Sequence, residues 1–170
     1  AQDMGFKKTS DLIAISFGVT ESAPDVYTED EISLQLDVLN NEIFVVLAAD
    51  LNVTVPQLAP GVNTNSAAAI ASTSQATIGK LSNTNVIAVA ELDIRSAGPG
   101  DNVAFERLAN ESYTGELDYI ALIATNNFFV GVSSANTGVA QSVNGRLWGY
   151  RAKADASTYA ALVQSEVLSA

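Results

Sequence analysis

Short apolar runs bounded by turn-forming residues fill the last third of the chain, and they constrain the fold more than any other feature. Their aromatic and β-branched side chains favour the pleated surface of a sheet. Thr125-Asn126-Asn127 follows the first run and Asn144-Gly145 precedes the third, and both are turn signals. We therefore predict an antiparallel meander across residues 117–154, ending in a helix. The three runs occupy residues 117–124, 128–132 and 146–152.

Further strands are predicted upstream from the spacing of apolar residues. Ile32, Leu34, Leu36 and Val38 alternate with polar residues, which predicts a strand with one face in the core. The continuous apolar run at 43–48 is typical of a strand buried on both faces, and residues 43–55 form either one bent strand or two. The other predicted strands cover residues 11–19 and 85–94, with 103–108 as a short strand or a helical turn.

Residues 56–80 are small, polar and almost uncharged, and they do not show a clear period. We predict either a long ordered loop or a strand edge pressed against a neighbouring subunit, because small uncharged residues allow close contact at little desolvation cost. A mobile surface loop is the alternative. Residues 67–71 are a possible short helix.

The two ends of the chain differ in character. Asp155 is a good N-cap for a helix over residues 156–168, in which Tyr159, Leu162, Val163 and Val167 form one apolar stripe. Residues 1–9 are predicted to be a flexible arm, either a frayed terminus or a segment that docks on a neighbour, ahead of a single domain over residues 10–170.

Short strands separated by turns predict an all-β, antiparallel sandwich or barrel of about eight strands, with a short C-terminal helix.

The amino-acid composition limits which catalytic sites, metal sites and partners this chain can have. The chain has no cysteine and no histidine, which removes thiolate metal ligands and the commonest general base. It carries 19 acidic against 8 basic residues, a balance that disfavours nucleic acid and anionic lipid as direct partners. Glu91 and Asp93 on one strand face are interpreted as solubilising rather than catalytic. We predict no enzymatic activity, no cofactor, no metal site, no direct nucleic-acid binding and no membrane insertion.

One acidic cluster lies in the first third of the chain, and calcium is the cation that such a cluster could bind. A hard cation needs several oxygen ligands, but the spacing does not match a calcium-binding loop with its central glycine. The sequence therefore predicts a solvated loop here. The cluster consists of Glu21, Asp25, Glu29, Asp30 and Glu31.

The chain's one tryptophan, Trp148, lies in the third run of the last third. Strict alternation puts Arg146, Trp148 and Tyr150 on one face of that strand. Aromatic side chains and arginine are enriched at protein interfaces. We predict these three residues as interface candidates, with a core position for Trp148 as the alternative.

The order of elements over 119–132 and 145–167 resembles a known family. A strand, an Asn-rich hairpin, a strand, a loop, an Arg-flanked strand (GRLWGYRAKA) and a short helix follow one another, as in the small single-jelly-roll major capsid proteins of tailless icosahedral viruses of halophilic archaea and Thermus. The resemblance implies a jelly-roll-like sandwich that stands upright on a capsid lattice. It also implies two related subunits that build the capsomers around an inner membrane.

These observations favour a structural, self-assembling subunit, most specifically a viral capsid protein that forms an icosahedral shell. Its partners would be copies of itself and a second capsid subunit, and it would reside in the virion. The alternatives are a secreted cell-surface or filament subunit with an adhesin-like sandwich, located outside the cell or on its surface, and a carbohydrate-binding module.

Overall fold

The computed structural model describes residues 5–57, 59–98, 101–107 and 119–168, with only the backbone of residues 97 and 101–107. The described residues form ten strands, one C-terminal α-helix and one short 3-10 turn, joined by loops. The elements are β1 (Phe6–Lys8), β2 (Ile13–Thr20), β3 (Thr28–Ser33), β4 (Glu42–Val53), β5 (Thr64–Ala71), β6 (Val86–Gly98), β7 (Asp101–Arg107), β8 (Ala121–Ile123), β9 (Asn127–Ala135), β10 (Ser142–Ala154) and α1 (Ala156–Leu168).

The strands form two antiparallel sheets that pack face to face. In sheet A, β10 and β4 are neighbours, β8 lies beyond β4, and both β1 and β2 pair with the other side of β10. Sheet B has the order β3-β9-β5-β6-β7. The all-β antiparallel sandwich with a C-terminal helix is thus confirmed.

The pairing follows a nested pattern that defines the topology. Strand β2 pairs with β10, β3 with β9, β4 with β8 and β5 with β6. The chain therefore runs as one long hairpin whose successive pairs alternate between the two sheets. This winding is the jelly roll. Strand β7 is an addition at the edge of sheet B beside β6.

The predicted meander over the last third is wrong. Strands β8 and β10 belong to sheet A and β9 belongs to sheet B, so no two of the three pair with each other. Asn126 joins two sheets rather than closing a hairpin: its carbonyl accepts from the Leu34 N–H at 2.8 Å and its side chain accepts from the Leu36 N–H at 2.6 Å. A local turn signal shows that the chain bends, but not which strand it meets next.

The sandwich core explains why residues 43–46 are apolar without alternation. Phe44 and Val46 pack between the sheets, while Ile43 and Val45 pack on the outer side of sheet A against α1. The run from Glu42 to Val53 is one strand, and the register with β10 shifts between Trp148 and Gly149. The predicted strand that is buried on both faces is confirmed for these residues.

Two other predictions need correction. Residues 64–71, assigned to a loop, a sheet edge or a short helix, are the central strand β5 between β9 and β6. Alanine and serine give this strand little hydrophobic signal, although its neighbours bury it. The strand predicted over 32–38 instead ends at Ser33, since Gln35 has a φ of 54° and leaves the extended conformation. Leu34 and Leu36 are buried, but Val38 is 46% exposed.

The predicted helix is confirmed, and its buried side differs from the predicted apolar stripe in one position. Asp155 caps it by accepting from the Thr158 N–H at 2.8 Å. Tyr159, Leu162 and Val163 pack on the apolar patch of sheet A, whereas Val167 is exposed and Glu166 is buried. No helix among the described residues is long and apolar enough to cross a membrane.

The N-terminal segment pairs with the end of the chain. Phe6–Lys8 runs antiparallel to Ala152–Ala154, and the Phe6 ring meets the Tyr119 ring edge-on at 5.9 Å between centroids. Residues 1–4 lie outside the described residues. The division into a flexible arm over 1–9 and one domain over 10–170 stays a prediction.

Candidate assembly surface

The outer face of sheet A is divided into a covered half and an open half. Helix α1 covers one half, where Ile43, Val45, Ala152 and Ala154 are buried beneath it. The other half has no covering element among the described residues. We call it the open face; it consists of Ala14, Ser16, Gly18, Ala48, Asp50, Asn52, Asn144, Arg146 and Trp148.

Alternation along β10 places Trp148 on the open face. Its neighbour Leu147 is fully buried in the sandwich core, so Trp148 must point to the opposite side of the sheet. Trp148 pairs with Ala14 on one side and Ala48 on the other. These small partners flank the indole ring, which is half-buried. The alternative core position for Trp148 is therefore not the one it occupies.

Arg146 supplies the positive charge of the open face. Its Nε donates to the Ser16 Oγ at 3.0 Å, and its Cζ lies 5.9 Å from the centroid of the Trp148 ring. That distance is at the outer limit of a cation–π contact. Asp50 lies opposite Arg146 in the strand register, but no ion pair joins the two described side chains. The guanidinium is held over the ring while remaining exposed to an incoming carboxylate.

Tyr150, the third interface candidate, lies at the boundary with the covered half. It packs with the apolar patch under α1, and the Lys8 Nζ lies 5.1 Å from its ring centroid. The structure thus brings Arg146 and Trp148 together on the open face and places Tyr150 between that face and the helix. The interface role of all three stays a prediction.

Arg151 lies on the opposite face of β10 and has a structural role that the sequence pattern does not predict. Its guanidinium pairs with the Glu42 carboxylate at 3.0 Å and donates to the carbonyls of Leu34 at 2.6 Å and Gln35 at 3.1 Å. Arg151 therefore fixes the irregular segment after β3 against sheet A. Two of its acceptors are backbone carbonyls distant in sequence, which leave no mark in the residue pattern.

The acidic cluster at 21–31 does not behave as one solvated loop. Glu29 accepts hydrogen bonds from Tyr27 Oη, Ser74 Oγ and the Gln75 N–H, at 2.6–2.9 Å. Asp30 and Glu31 are exposed on the edge strand β3. Glu21 is only 4% exposed, so the prediction of a solvated side chain is wrong for this residue.

No protein-family model matches the chain, and no curated protein matches it. Among solved structures, Desmodium yellow mottle tymovirus is similar with a TM-score of 0.31 and 13% identity, over 86% of this chain and 91% of that one. Merkel cell polyomavirus VP1 in complex with the GD1a oligosaccharide is similar with a TM-score of 0.43 and 9% identity, over 86% of this chain and 98% of that one. Tomato aspermy virus is similar with a TM-score of 0.37 and 13% identity, over 85% of this chain and 80% of that one.

These structures are viral jelly-roll capsid proteins. None of the three comes from the archaeal or Thermus virus group that the sequence resembles, so that narrower assignment stays a prediction. The TM-scores are low, and the jelly-roll assignment of this chain rests on its own strand pairing.

Proposed function

We propose that this protein is a structural subunit that assembles with copies of itself, as a capsid protein in the shell of a virus. The observation that carries the proposal is the open face of sheet A. It lies beside a half that α1 covers, and it presents a partly exposed tryptophan under an arginine. Tryptophan and arginine are the residue types that most often dominate binding energy at interfaces.

The fold agrees with this use without requiring it. Jelly rolls serve as viral capsid domains, but also as lectin domains, so the function must be argued from a surface. The partner surface should offer a carboxylate to Arg146, because Arg146 forms no ion pair with Asp50, the acidic residue of the open face. A second copy of a chain with a net charge of −11 offers such a surface, for example at the exposed Asp30 and Glu31 of β3.

The finer proposals follow from the sequence resemblance. A second, related capsid subunit would share the lattice, and the protein would reside in the virion. The capsid would belong to the tailless icosahedral type of archaeal and Thermus viruses. A secreted filament or cell-surface subunit would use the same open face for a different assembly.

The test compares three proteins by sedimentation velocity and negative-stain microscopy across salt concentrations. We expect the native chain to form multi-subunit species and Trp148→Ala to remain monomeric. Leu39→Ala is the matched control, because Leu39 is a large apolar residue, 92% exposed, outside the open face. It should assemble like the native chain. Urea unfolding must show that Trp148→Ala keeps the stability of the monomer to within about 1–2 kcal/mol.

Two results would reject the proposal. One is a native chain that stays monomeric under all conditions, also when mixed with the other proteins of its native source. The other is normal assembly of the Trp148→Ala variant. Unfolding of that variant's monomer would instead mean that Trp148 supports the fold, and assembly of Arg146→Ser would then decide whether the open face is the contact.

Carbohydrate binding is the second candidate, and the exposed part of the Trp148 ring is the observation that favours it. Sugars stack on exposed aromatic faces, and an adjacent arginine can donate to hydroxyl or carboxylate oxygens. Trp148 is the chain's one tryptophan, so its fluorescence reports on this surface directly. A spectral shift on adding a glycan, with no change in sedimentation, would favour a binding module over an assembly subunit.

A further inference from the structure

Glu21 is a buried carboxylate with one oxygen that has no partner. It follows the end of β2 and is only 4% exposed. Its Oε1 accepts from the Ser134 Oγ at 2.6 Å and from the Gln141 N–H at 2.8 Å. Its Oε2 is buried and has no hydrogen-bond partner among the described residues. A buried carboxylate oxygen in this state is costly, so it calls for a ligand.

A water molecule or a cation would satisfy the oxygen. The surrounding atoms decide between them.

Four oxygens from two segments of the chain lie close together here, and the Glu21 Oε1 described above is one of them. The Ser134 Oγ is 3.1 Å from the Thr137 Oγ1 and 3.4 Å from the Asp25 Oδ1. The Thr137 Oγ1 and the Asp25 Oδ1 are 3.1 Å apart. These contacts are hydrogen bonds, and their lengths also match the spacing of roughly 3 Å between oxygens that share a calcium ion at 2.3–2.6 Å. Asp25 is exposed, which gives a hydrated ion a way in.

We propose that this cluster binds a hard divalent cation, and that Ca²⁺ is its ligand. The carboxylates of Glu21 and Asp25 supply the charge, and the hydroxyls of Ser134 and Thr137 supply neutral oxygens. Hard cations take such all-oxygen sets, whereas zinc prefers nitrogen and sulfur ligands. Among the described residues no group of three or more His, Cys, Asp or Glu gathers around one point, and this site has two carboxylates.

The location gives the ion a structural task. Glu21 and Asp25 belong to the connection between β2 and β3, and Ser134 and Thr137 lie at the end of β9 and just after it. Asp25 already accepts from the Thr137 N–H at 3.0 Å. The cation would bind the two connections together at one end of the sandwich. The proposal stands whether or not the chain is a capsid protein.

The test uses calorimetric titration and thermal unfolding of the full chain with CaCl₂, MgCl₂ or EDTA. With two charged ligands we expect a Kd of about 0.1–1 mM for Ca²⁺, weaker binding of Mg²⁺, and a rise in Tm on saturation with Ca²⁺. Glu21→Gln should abolish binding, and Asp25→Asn should weaken it about tenfold or more. Glu31→Gln, an exposed acid on β3, is the matched control and should bind like the native chain.

A second measurement tests the site if Glu21→Gln does not fold. In ¹H–¹⁵N NMR spectra of the native chain, Ca²⁺ should shift the amides of Ser134, Thr137 and Gln141 in a saturable way. Loss of these shifts in Asp25→Asn would support the site. The proposal is overturned if 10-fold the expected Kd (about 10 mM Ca²⁺) produces neither binding heat nor these shifts. It is overturned equally if Glu21→Gln binds Ca²⁺ as the native chain does. The same holds if Ca²⁺ shifts the amides near all surface carboxylates rather than those of Ser134, Thr137 and Gln141.

Discussion

The Glu166 carboxylate on α1 accepts a hydrogen bond from the Thr125 hydroxyl at 2.6 Å, across 41 residues of chain. The same carboxylate accepts from the backbone N–H of Ala124 at 2.7 Å, and the Glu166 carbonyl accepts from the Asn85 side chain at 3.1 Å. The last turn of the helix is thus fixed to the connection between β8 and β9 and to the start of β6. This attachment holds α1 over its half of sheet A.

Replacing Glu166 should destabilise the whole domain. Glu166→Ala removes the acceptors of the Ala124 N–H and the Thr125 hydroxyl in a buried place, and we expect a loss of about 3 kcal/mol in the free energy of unfolding. Urea denaturation followed by circular dichroism measures it. Gln164→Ala, on the exposed side of the same helix, should change the free energy by less than about 0.5 kcal/mol. Equal effects of the two variants would show that the attachment contributes nothing.

The N-cap of α1 should respond to acid. Hydrogen bonds from the Thr158 backbone and side chain, and from Ser157, hold the pKa of Asp155 below its usual value. A lowered pKa gives stability that is present above the unfolded pKa and is lost as the pH falls below about 4. Asp155→Asn keeps a capping side chain and should flatten this acid limb. Asp155→Ala should also reduce helicity at pH 7, and helical circular dichroism that stays unchanged at both pH values would contradict the assignment.

Gly149 should tolerate no side chain. A Cβ at this position would meet the Val45 carbonyl and lie 2.6 Å from the Phe44 ring, because β10 passes close to β4 where their register shifts. Gly149→Ala should lower the free energy of unfolding by about 1–3 kcal/mol. Gly98→Ala is the matched control, since nothing lies within 4 Å of its Cβ position. Thermal unfolding of both variants checks the contrast, and equal Tm values would disprove it.

Tyr27 should make the protein sensitive to alkali. Burial raises the pKa of Tyr27 well above its usual value, and its hydrogen bond to Glu29 and the charge of that carboxylate add to the effect. A raised pKa means that the stability from neutral Tyr27 is present below the unfolded pKa of about 10 and is lost as the pH rises beyond it. Tyr27→Phe should therefore lose less stability than the native chain between pH 9 and pH 11, roughly the window around that pKa. Unfolding curves at several pH values test this, and parallel pH profiles would refute it.

Several elements were predictable because their signals are local. Ile13, Ile15, Phe17 and Val19 alternate along β2 and all pack on the core side. The cap at Asp155 and the apolar spacing of Tyr159, Leu162 and Val163 marked α1. The alternation of β10 put Arg146 and Trp148 on one face. In each case the backbone geometry of a single element fixes which side chains lie together.

The errors arose where the outcome depends on distant partners. The runs containing β8, β9 and β10 have the same residue patterns whether they pair with each other or alternate between sheets. Strand β5 has too few large apolar residues for its pattern to predict a strand. Its burial comes from β6 and β9, which lie on either side of it. The burial of Glu21 and Glu166 depends on hydrogen-bond donors more than 40 residues away.

The sequence by itself determined the class of fold, the strand character of most segments, the C-terminal helix and the shared face of Arg146 and Trp148, because residue spacing and backbone geometry act over a few residues. Only the tertiary structure decided the jelly-roll pairing, the half of sheet A that α1 covers, and the enclosure of Glu21. These depend on which distant surfaces meet when the apolar faces are buried, and that choice is made by packing of the whole chain.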